Sequence, residues 1–168
     1  NGVVQGSLAE RTDRVQPDDR TFRYVIRPAS GDELELAITQ NDVRQIQLAG
    51  SALRAGIDLL MEHAGVADVH DVRLAGAFGA HIDPVYALVL GLVPDGPVDG
   101  VRAVGNASGA GAIRMLVSAE QRAEIADAVR AIEKIETATE PRFQELLVAA
   151  MAFPHDTAPN PHLAQVVD

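Results

Sequence analysis

The sequence has no cysteine among its 168 residues and only one lysine, Lys134. Without cysteine, the chain can form no disulfide, no thiolate nucleophile, no cysteine-ligated zinc site and no iron–sulfur cluster of its own. Acidic side chains outnumber basic ones by 24 to 14, which gives a formal charge of −10. This balance argues against nucleic acid or an anionic membrane surface as the main partner, because both attract clustered positive charge.

The sequence also lacks a long hydrophobic run. None approaches the roughly 20 residues that cross a bilayer, and residues 1–6 lack the charged and apolar regions of a signal peptide. We therefore expect a soluble, cytoplasmic protein. With 47% hydrophobic residues, the chain is long enough for one domain with a buried core. Because it opens on Asn1 rather than methionine, we also expect it to be part of a longer polypeptide.

The first half of the sequence predicts a lead-in, a hairpin and a long helix. Residues 1–20 are polar without a period and are assigned as a linker, and alternation around 22–27 and 33–38 predicts the hairpin. Thr39 followed by Asp42 is typical of a helix start, and Gly65 is typical of a helix end. Apolar residues at three- and four-residue spacing predict one buried stripe on this helix. They are Val43, Ile46, Leu53, Ile57 and Leu60.

Two short strands that run into glycine-rich turns come next. Residues 72–75 lead into Gly76-Ala-Phe-Gly79, and residues 101–104 lead into a turn from Gly105 to Gly111, which a helix follows. Between them, Asp83 and Pro84 predict the start of a short helix that ends near Gly91.

The last part predicts two helices that flank a strand. Ser118 and Gln121 form a capping-box pair, and Ile125, Val129 and Ile132 are the expected buried stripe of the helix they open. Residues 135–138 are predicted as a third strand. Pro141 is expected near the start of a final helix that ends at Phe153-Pro154, before a flexible tail over 155–168. The alternation of helices and strands predicts an α/β fold with a partly parallel sheet.

The residues alone give two interpretations of the glycine turns. Glycine lets backbone amides approach a ligand, but it also lets a helix pack closely on a strand. Neither turn is a Walker loop or a dinucleotide fingerprint, and Ser108 lacks a nucleophile elbow. His63, His70 and His81 show no metal-ligand spacing and are best explained as polar turn residues. The acidic residues of the later helices are assigned to a solvated face without a catalytic role.

Three collinear segments carry a resemblance to one family. They are Ile38-Thr-Gln-Asn-Asp-Val-Arg-Gln-Ile-Gln-Leu-Ala49, then Leu74-Ala-Gly-Ala-Phe-Gly79 with Asp83-Pro84 and Gly91-Leu-Val-Pro94, and Val104-Gly-Asn-Ala-Ser-Gly-Ala-Gly-Ala112. The sequence resembles the C-terminal domain of the ATP-dependent reductive activators of corrinoid proteins. These belong to the superfamily of actin, sugar kinase and heat-shock chaperone ATPases. The resemblance covers roughly residues 20–154.

The resemblance implies a function that composition does not. Such activators carry an N-terminal [2Fe-2S] domain and a two-lobed, ribonuclease-H-like ATPase, and they return a cobalt(II) corrinoid protein of a methyltransferase system to cobalt(I). This chain would be the second lobe, over residues 21–154, and would bind ATP or ADP, with magnesium in the complete protein. The implied partner is the corrinoid protein, and a homodimer is also implied.

The resemblance also assigns site residues. The turn Gly76, Ala77, Phe78 and Gly79 matches the adenosine motif of the superfamily and is the first choice for nucleotide contact. The second choice is a set in the next turn, with two further residues on the long helix that would reach the adenine or ribose. These are Gly105, Asn106, Ser108, Gly109, Arg44 and Gln47.

The chain departs from the family pattern in two respects. The acidic, glycine-rich phosphate loops of the Asp-x-Gly-Thr kind and the cysteine cluster are not in this sequence. We therefore expect the 168 residues alone to hydrolyse no ATP. The alternative is a non-catalytic α/β module for interaction or dimerisation, in which the glycine turns serve packing.

Overall fold

The computed structural model describes residues 14–152 and 161–162, and the chain divides into two compact units, Asn1–Ala49 and Gly50–Asp168. The first unit holds an antiparallel sheet in the order β1 (Val15–Asp18), β2 (Thr21–Arg27) and β3 (Leu36–Thr39). Strands β2 and β3 form the predicted hairpin. Strand β1 lies within the segment assigned as a linker, where Pro17 obscures the strand pattern; proline is tolerated there because β1 is an edge strand.

A long helix, α1 (Gln40–Ala64), begins and ends where the sequence predicts. At its start, the Thr39 hydroxyl accepts a hydrogen bond from the Asp42 amide, and the Asp42 carboxylate accepts from both the amide and the hydroxyl of Thr39. These donors lower the pKa of Asp42, the backbone amide of Thr39 contributing most. The reciprocal pair satisfies amides that a helix start leaves free.

The buried face of α1 is not the predicted stripe. Ile46, Leu53 and Leu60 are 41%, 51% and 56% exposed. The side that is covered carries small residues and one charged side chain: Gly50, Ser51, Arg54, Ala55 and Leu59. Helical periodicity identifies residues that share a face, but the neighbouring elements decide which face is covered. Here the small residues allow close packing. Of the predicted stripe, Val43 and Ile57 are partly buried, and the other three residues are left at the surface.

The second unit is built around a parallel pair of strands, β4 (Val72–Ala75) and β5 (Val101–Gly105). The core against this pair consists of Ala87, Leu88, Val93 and Val101, with Val72, Leu74, Ile82 and Val98 partly buried beside them. The unit confirms the α/β class and the partly parallel pairing expected from the sequence. Its elements, after the end of α1, are β4 (Val72–Ala75), α2 (Gly76–Gly79), α3 (Pro84–Val89), a 3₁₀ turn (Val98–Gly100), β5 (Val101–Gly105), α4 (Ala107–Val117), α5 (Ala119–Ala131) and α6 (Pro141–Ala149).

Most helix starts in this unit are the predicted ones. The Asp83 carboxylate caps α3 by accepting from the amides of Val85 and Tyr86, and Ser118 caps α5 by accepting from the Gln121 amide. Helix α4 starts earlier than expected, at Ala107, so the predicted turn up to Gly111 is wrong. The reason is Asn106, whose side chain caps the helix and allows it to begin two residues after β5.

Four predictions for the last third of the chain are wrong or concern residues outside the described ranges. Residues 135–138 form no strand, because the amide and hydroxyl of Thr139 both donate to the Glu136 carbonyl and close a turn. On α5, Val129 is 60% exposed, and Ile132, which follows the helix, is 70% exposed, so neither is buried as predicted. Helix α6 ends at Ala149, whereas the predicted end, Phe153-Pro154, lies outside the described residues. The predicted tail also does, except for 161–162.

No helix in residues 14–152 has the length and apolar character needed to cross a membrane.

Candidate functional site

The two glycine turns lie side by side at the carboxyl edge of the parallel pair. Ala75 is the register partner of Gly105, and an extra residue in β5, Val104, shifts the register just before this point. The bulge brings the end of β5 level with the end of β4. Ligands of α/β folds bind outside the carboxyl ends of parallel strands, so this edge is the candidate site.

The two glycines of the first turn differ in the space available to a Cβ atom. Gly76 has φ +89°, a conformation that side chains rarely adopt, and a Cβ placed on it would meet no atom within 4 Å. Gly79 is buried, and its Cβ would lie 2.7 Å from the Leu74 carbonyl carbon. Glycine at position 79 therefore allows α2 to pack on β4, while the space in front of Gly76 is free.

The second turn repeats this division. Gly105 has φ +66° and open space in the Cβ direction. Gly109 lies beneath the Asn106 side chain, whose Oδ1 accepts a hydrogen bond of 2.8 Å from the Gly109 amide. A Cβ on Gly109 would come within 2.6 Å of Asn106 Nδ2. Asn106 and Gly109 thus form the N-terminal cap of α4. The space in the Cβ direction of Gly105 stays free.

The side chains between these glycines face solvent. Phe78 is 87% exposed, and Ala77 and Ser108 are exposed as well. Eight of the predicted site residues are thus brought together at one edge of the sheet: Gly76, Ala77, Phe78, Gly79, Gly105, Asn106, Ser108 and Gly109.

The remaining two predicted residues belong to the first compact unit. Arg44 is exposed and Gln47 is half-buried, both on the first half of α1. Their role as contacts to adenine or ribose stays a prediction.

A charged cluster that the sequence analysis missed lies at the opposite, amino-terminal edge of the parallel pair. Asp71 accepts from Arg102 at 2.9 Å and 3.1 Å and from Arg73 at 2.9 Å and 3.0 Å. These hydrogen bonds, that from Arg102 first, lower the pKa of Asp71. The signal in the sequence is a Val-Arg pair at the start of both strands, since parallel pairing in this register places Arg73 beside Arg102.

The same cluster borders a shallow, open depression. Its lining residues are His70, Asp71, Pro97, Asp99, Gly100 and Arg102. Within the described part of the chain, no group of three or more histidine, aspartate or glutamate side chains could hold a metal ion. Through its ion pairs with Arg73 of β4 and Arg102 of β5, Asp71 forms a clamp between the two strands.

A buried arginine anchors the second half of α1 in its unit. The Arg54 side chain is only 8% exposed, and its Nε donates to Asp58 Oδ1 at 2.8 Å. Its Nη1 donates to the carbonyl oxygen of Val93, a core residue, at 3.2 Å. A buried charge with these partners is satisfied, and it fixes α1 to the segment that precedes β5.

Comparison with known proteins identifies the family. The family model described as the C-terminal domain of RACo, the ASKHA domain, matches residues 1–164. The corrinoid activation enzyme RamQ of Eubacterium limosum is 39% identical over 139 residues, which is 81% of this chain and 23% of that protein. A solved structure titled reductive activator for corrinoid,iron-sulfur protein matches with a TM-score of 0.72 and 26% identity, over 85% of this chain and 23% of its own.

These matches confirm the resemblance that the three sequence segments carry. The chain spans about a quarter of the length of both relatives. It belongs to the family of C-terminal domains of RACo, the ASKHA domain.

Proposed function

We propose that this chain is the nucleotide-binding lobe of an ATP-dependent reductive activator, which returns an inactive cobalt(II) corrinoid protein to cobalt(I). The observation that carries the proposal is the pairing of two open glycine turns, at Gly76 and Gly105, on the carboxyl edge of β4 and β5. Family membership and the names of the two relatives support it.

The residues of the two turns have different proposed roles in nucleotide binding. Gly76, Ala77 and Phe78 present an open surface to the nucleoside, and Gly105, Asn106 and Ser108 form the neighbouring surface. Gly79 and Gly109 hold the two turns in place through the backbone of Leu74 and the side chain of Asn106. Arg44 and Gln47 are further proposed contacts to adenine or ribose. The open Cβ directions of Gly76 and Gly105 fit a ligand that approaches the backbone closely.

The other components of the reaction are assigned outside these 168 residues. A chain without cysteine cannot ligate a [2Fe-2S] cluster, so no step of electron transfer is derived from its side chains. The magnesium and triphosphate chemistry is assigned to the acidic glycine loops that this sequence lacks. The proposed role of the chain is to bind the nucleoside and to couple that binding to a lobe motion that opens or closes the crevice. The proposed setting is a cytoplasmic methyltransferase system, with the corrinoid protein as partner.

The proposal can be tested with two aspartate substitutions in the full-length protein that contains this chain. Gly76→Asp places a charged side chain in the open space of the first turn and repels phosphate. Gly91→Asp is the matched control, because Gly91 also has positive φ, at +63°, and an open Cβ direction, but lies in neither turn. Both changes carry the same kind of backbone strain.

We expect calorimetry to show at least tenfold weaker ATP and ADP binding for Gly76→Asp and unchanged binding for Gly91→Asp. ATP-dependent formation of cobalt(I), followed by the absorbance of the corrinoid, is expected to fall in parallel. Equal nucleotide affinity in both variants and the parent would contradict the proposed site.

A second candidate function has an observation of its own. Helices α4 and α5 contain no buried residue, and Leu116 and Val117 are each 78% exposed. This surface favours an interaction or dimerisation module, which can also exist beside a nucleotide site. That function would be favoured if the full-length protein bound no nucleotide and if the variant Leu116→Glu lost self-association or corrinoid-protein binding.

A further inference from the structure

The connection between α3 and β5 is held by parts of the chain that lie far away in sequence. It runs over residues 90–100 and is irregular up to the 3₁₀ turn. Arg54 of α1 donates to the Val93 carbonyl oxygen at 3.2 Å. Further along, a Cβ on Gly100 would lie 2.4 Å from the His70 carbonyl oxygen, so the connection passes close to the backbone before β4. An irregular connection depends on such outside contacts to keep one shape.

A third contact to this connection comes from His162, in the segment that the sequence predicts as a flexible tail. The His162 amide and its ring Nδ1 lie 3.0 Å and 2.9 Å from the same oxygen, Asp95 Oδ2. Because an ionised carboxylate only accepts hydrogen bonds, the ring nitrogen carries a proton and donates it. Two donors from one residue, 67 positions away in sequence, thus meet one oxygen of the connection.

The two partners of this contact differ in burial. Only 10% of the Asp95 side chain is exposed, whereas the His162 side chain is 44% exposed. A carboxylate removed from water needs donors from the protein, while an exposed imidazole can bind water instead. Loss of the contact therefore costs Asp95 more than His162. It favours an opening of the connection that brings the carboxylate to water.

We propose that His162 and Asp95 form a latch, which keeps the connection before β5 closed and lets it open locally when His162 leaves. Pro97, Asp99 and Gly100 of the same connection line the shallow depression at the amino-terminal edge of the parallel pair. The latch therefore controls the shape of this depression, at the edge opposite to the glycine turns. It is a conformational device of the second unit and does not depend on nucleotide binding.

Hydrogen exchange in the full-length protein that contains this chain tests the latch. His162→Ala removes the ring donor, whereas His162→Asn can place an amide nitrogen where the ring Nδ1 lies, because both atoms are bonded to Cγ. His63→Ala is the matched control. The His63 side chain is 48% exposed and also faces a carboxylate, that of Glu140, but at 3.7 Å. The readout is the exchange rate of peptides over residues 90–100, compared with peptides from β2 and β4.

We expect His162→Ala to speed exchange over residues 90–100 by about tenfold or more, because a hydrogen bond to a charged group is lost. Exchange in β2 and β4 should not change. His162→Asn and His63→Ala should keep the parental rates. In the background of Asp95→Ala, the substitution His162→Ala should have little further effect, since its partner is already removed.

Two results for His162→Ala would disprove the latch. Unchanged exchange over residues 90–100 would show that the contact does not hold the connection. Equally faster exchange in β4 would show that it stabilises the whole unit rather than opposing a local opening. Exchange as fast in His162→Asn as in His162→Ala would also contradict the proposal, because the ring Nδ1 would then not be the group that holds Asp95.

Discussion

At the scale of single residues, the glycines at positions 76, 79, 105 and 109 differ in whether a Cβ atom would have room. The Cβ directions of Gly76 and Gly105 are open, whereas those of Gly79 and Gly109 are blocked by the Leu74 backbone and the Asn106 side chain. Packing therefore explains one glycine of each turn. The other glycine leaves the space that the proposed nucleotide site requires.

This division predicts the effect of adding one methyl group. In Gly79→Ala the new Cβ would lie 2.7 Å from the Leu74 carbonyl carbon, so α2 must move away from β4. Overpacking of this kind costs about 1–3 kcal/mol of unfolding free energy. Urea denaturation measures it, and nucleotide affinity should fall as well because the first turn shifts.

The control is the same substitution at an open position within a helix. A Cβ on Gly56 in α1 would meet no atom within 4 Å, and alanine favours a helix over glycine by roughly 0.5–1 kcal/mol. Gly56→Ala should therefore leave the protein as stable as before or more stable. A loss of stability as large as that of Gly79→Ala would show that the tight contact is not the cause.

At the scale of elements, β4 and β5 are joined at both ends by different means. Bulged pairing and the glycine turns define the carboxyl edge, and the clamp of Asp71 with Arg73 and Arg102 defines the amino edge. A parallel pair of two strands has few backbone hydrogen bonds, so a shared carboxylate adds a connection that pairing alone does not supply.

The clamp predicts a pH dependence of stability. The pKa of Asp71 is lowered in the folded protein, from about 3.9 for an unperturbed aspartate, so the unfolded chain binds more protons as the pH falls toward this range. Its contribution is therefore complete above the unfolded pKa and is lost as the pH falls through the folded pKa. The lowered pKa values of Asp42 and Glu62 act in the same direction.

The variant Asp71→Asn tests the direction of this pH dependence of stability. The urea midpoint of the variant should lie below that of the parent at pH 7, by a small amount because the clamp is exposed, and the difference should shrink as the pH falls below the pKa of an unperturbed aspartate. Glu124→Gln, on an exposed surface of α5, should change the midpoint little at pH 7 or at pH 3. A difference between Asp71→Asn and the parent that is the same at pH 7 and pH 3 would contradict the assignment.

Helix boundaries were predictable where a local hydrogen bond defines them. Thr39 with Asp42, Asp83 with Pro84 and Ser118 with Gln121 each mark a start that the structure shares. Buried faces were not predictable in the same way. The stripe of Ile46, Leu53 and Leu60 has the right spacing, but burial depends on neighbours that lie far away in sequence. In the site, the positions of Gly76 and Gly105 after the two strands were predicted, but the extension of the second turn to Gly111 was wrong because α4 begins at Ala107. The roles of Gly79 and Gly109 could not be predicted, because they depend on how closely Leu74 and Asn106 approach.

At the scale of the whole molecule, the chain is a family domain that spans about a quarter of its relatives' length. A two-stranded parallel sheet is unusual, because parallel sheets are normally larger and covered on both faces. Within residues 14–152, one face of β4 and β5 is left uncovered, with Arg73 and Arg102 exposed upon it.

This organisation predicts that the 168 residues alone do not hydrolyse ATP. The proposed site supplies a nucleoside surface, and the sequence lacks the acidic glycine loops that would position magnesium and the triphosphate. Phosphate release from the purified chain should equal the rate of a blank, and Gly76→Asp should give the same value. Steady turnover above the blank that Gly76→Asp abolishes would disprove the prediction.

Helices α4 and α5 share a single connecting residue. The Ser118 amide donates to the Arg114 carbonyl oxygen at the end of α4. The Ser118 hydroxyl accepts from the Gln121 amide at the start of α5. Arg122 Nε donates to the Met115 carbonyl oxygen and adds a second connection across the joint. Because only one residue connects them, α4 and α5 cannot change the angle between them without breaking the hydrogen bonds of Ser118 or Arg122. An apolar surface formed by both helices would therefore keep its shape only while these hydrogen bonds are intact.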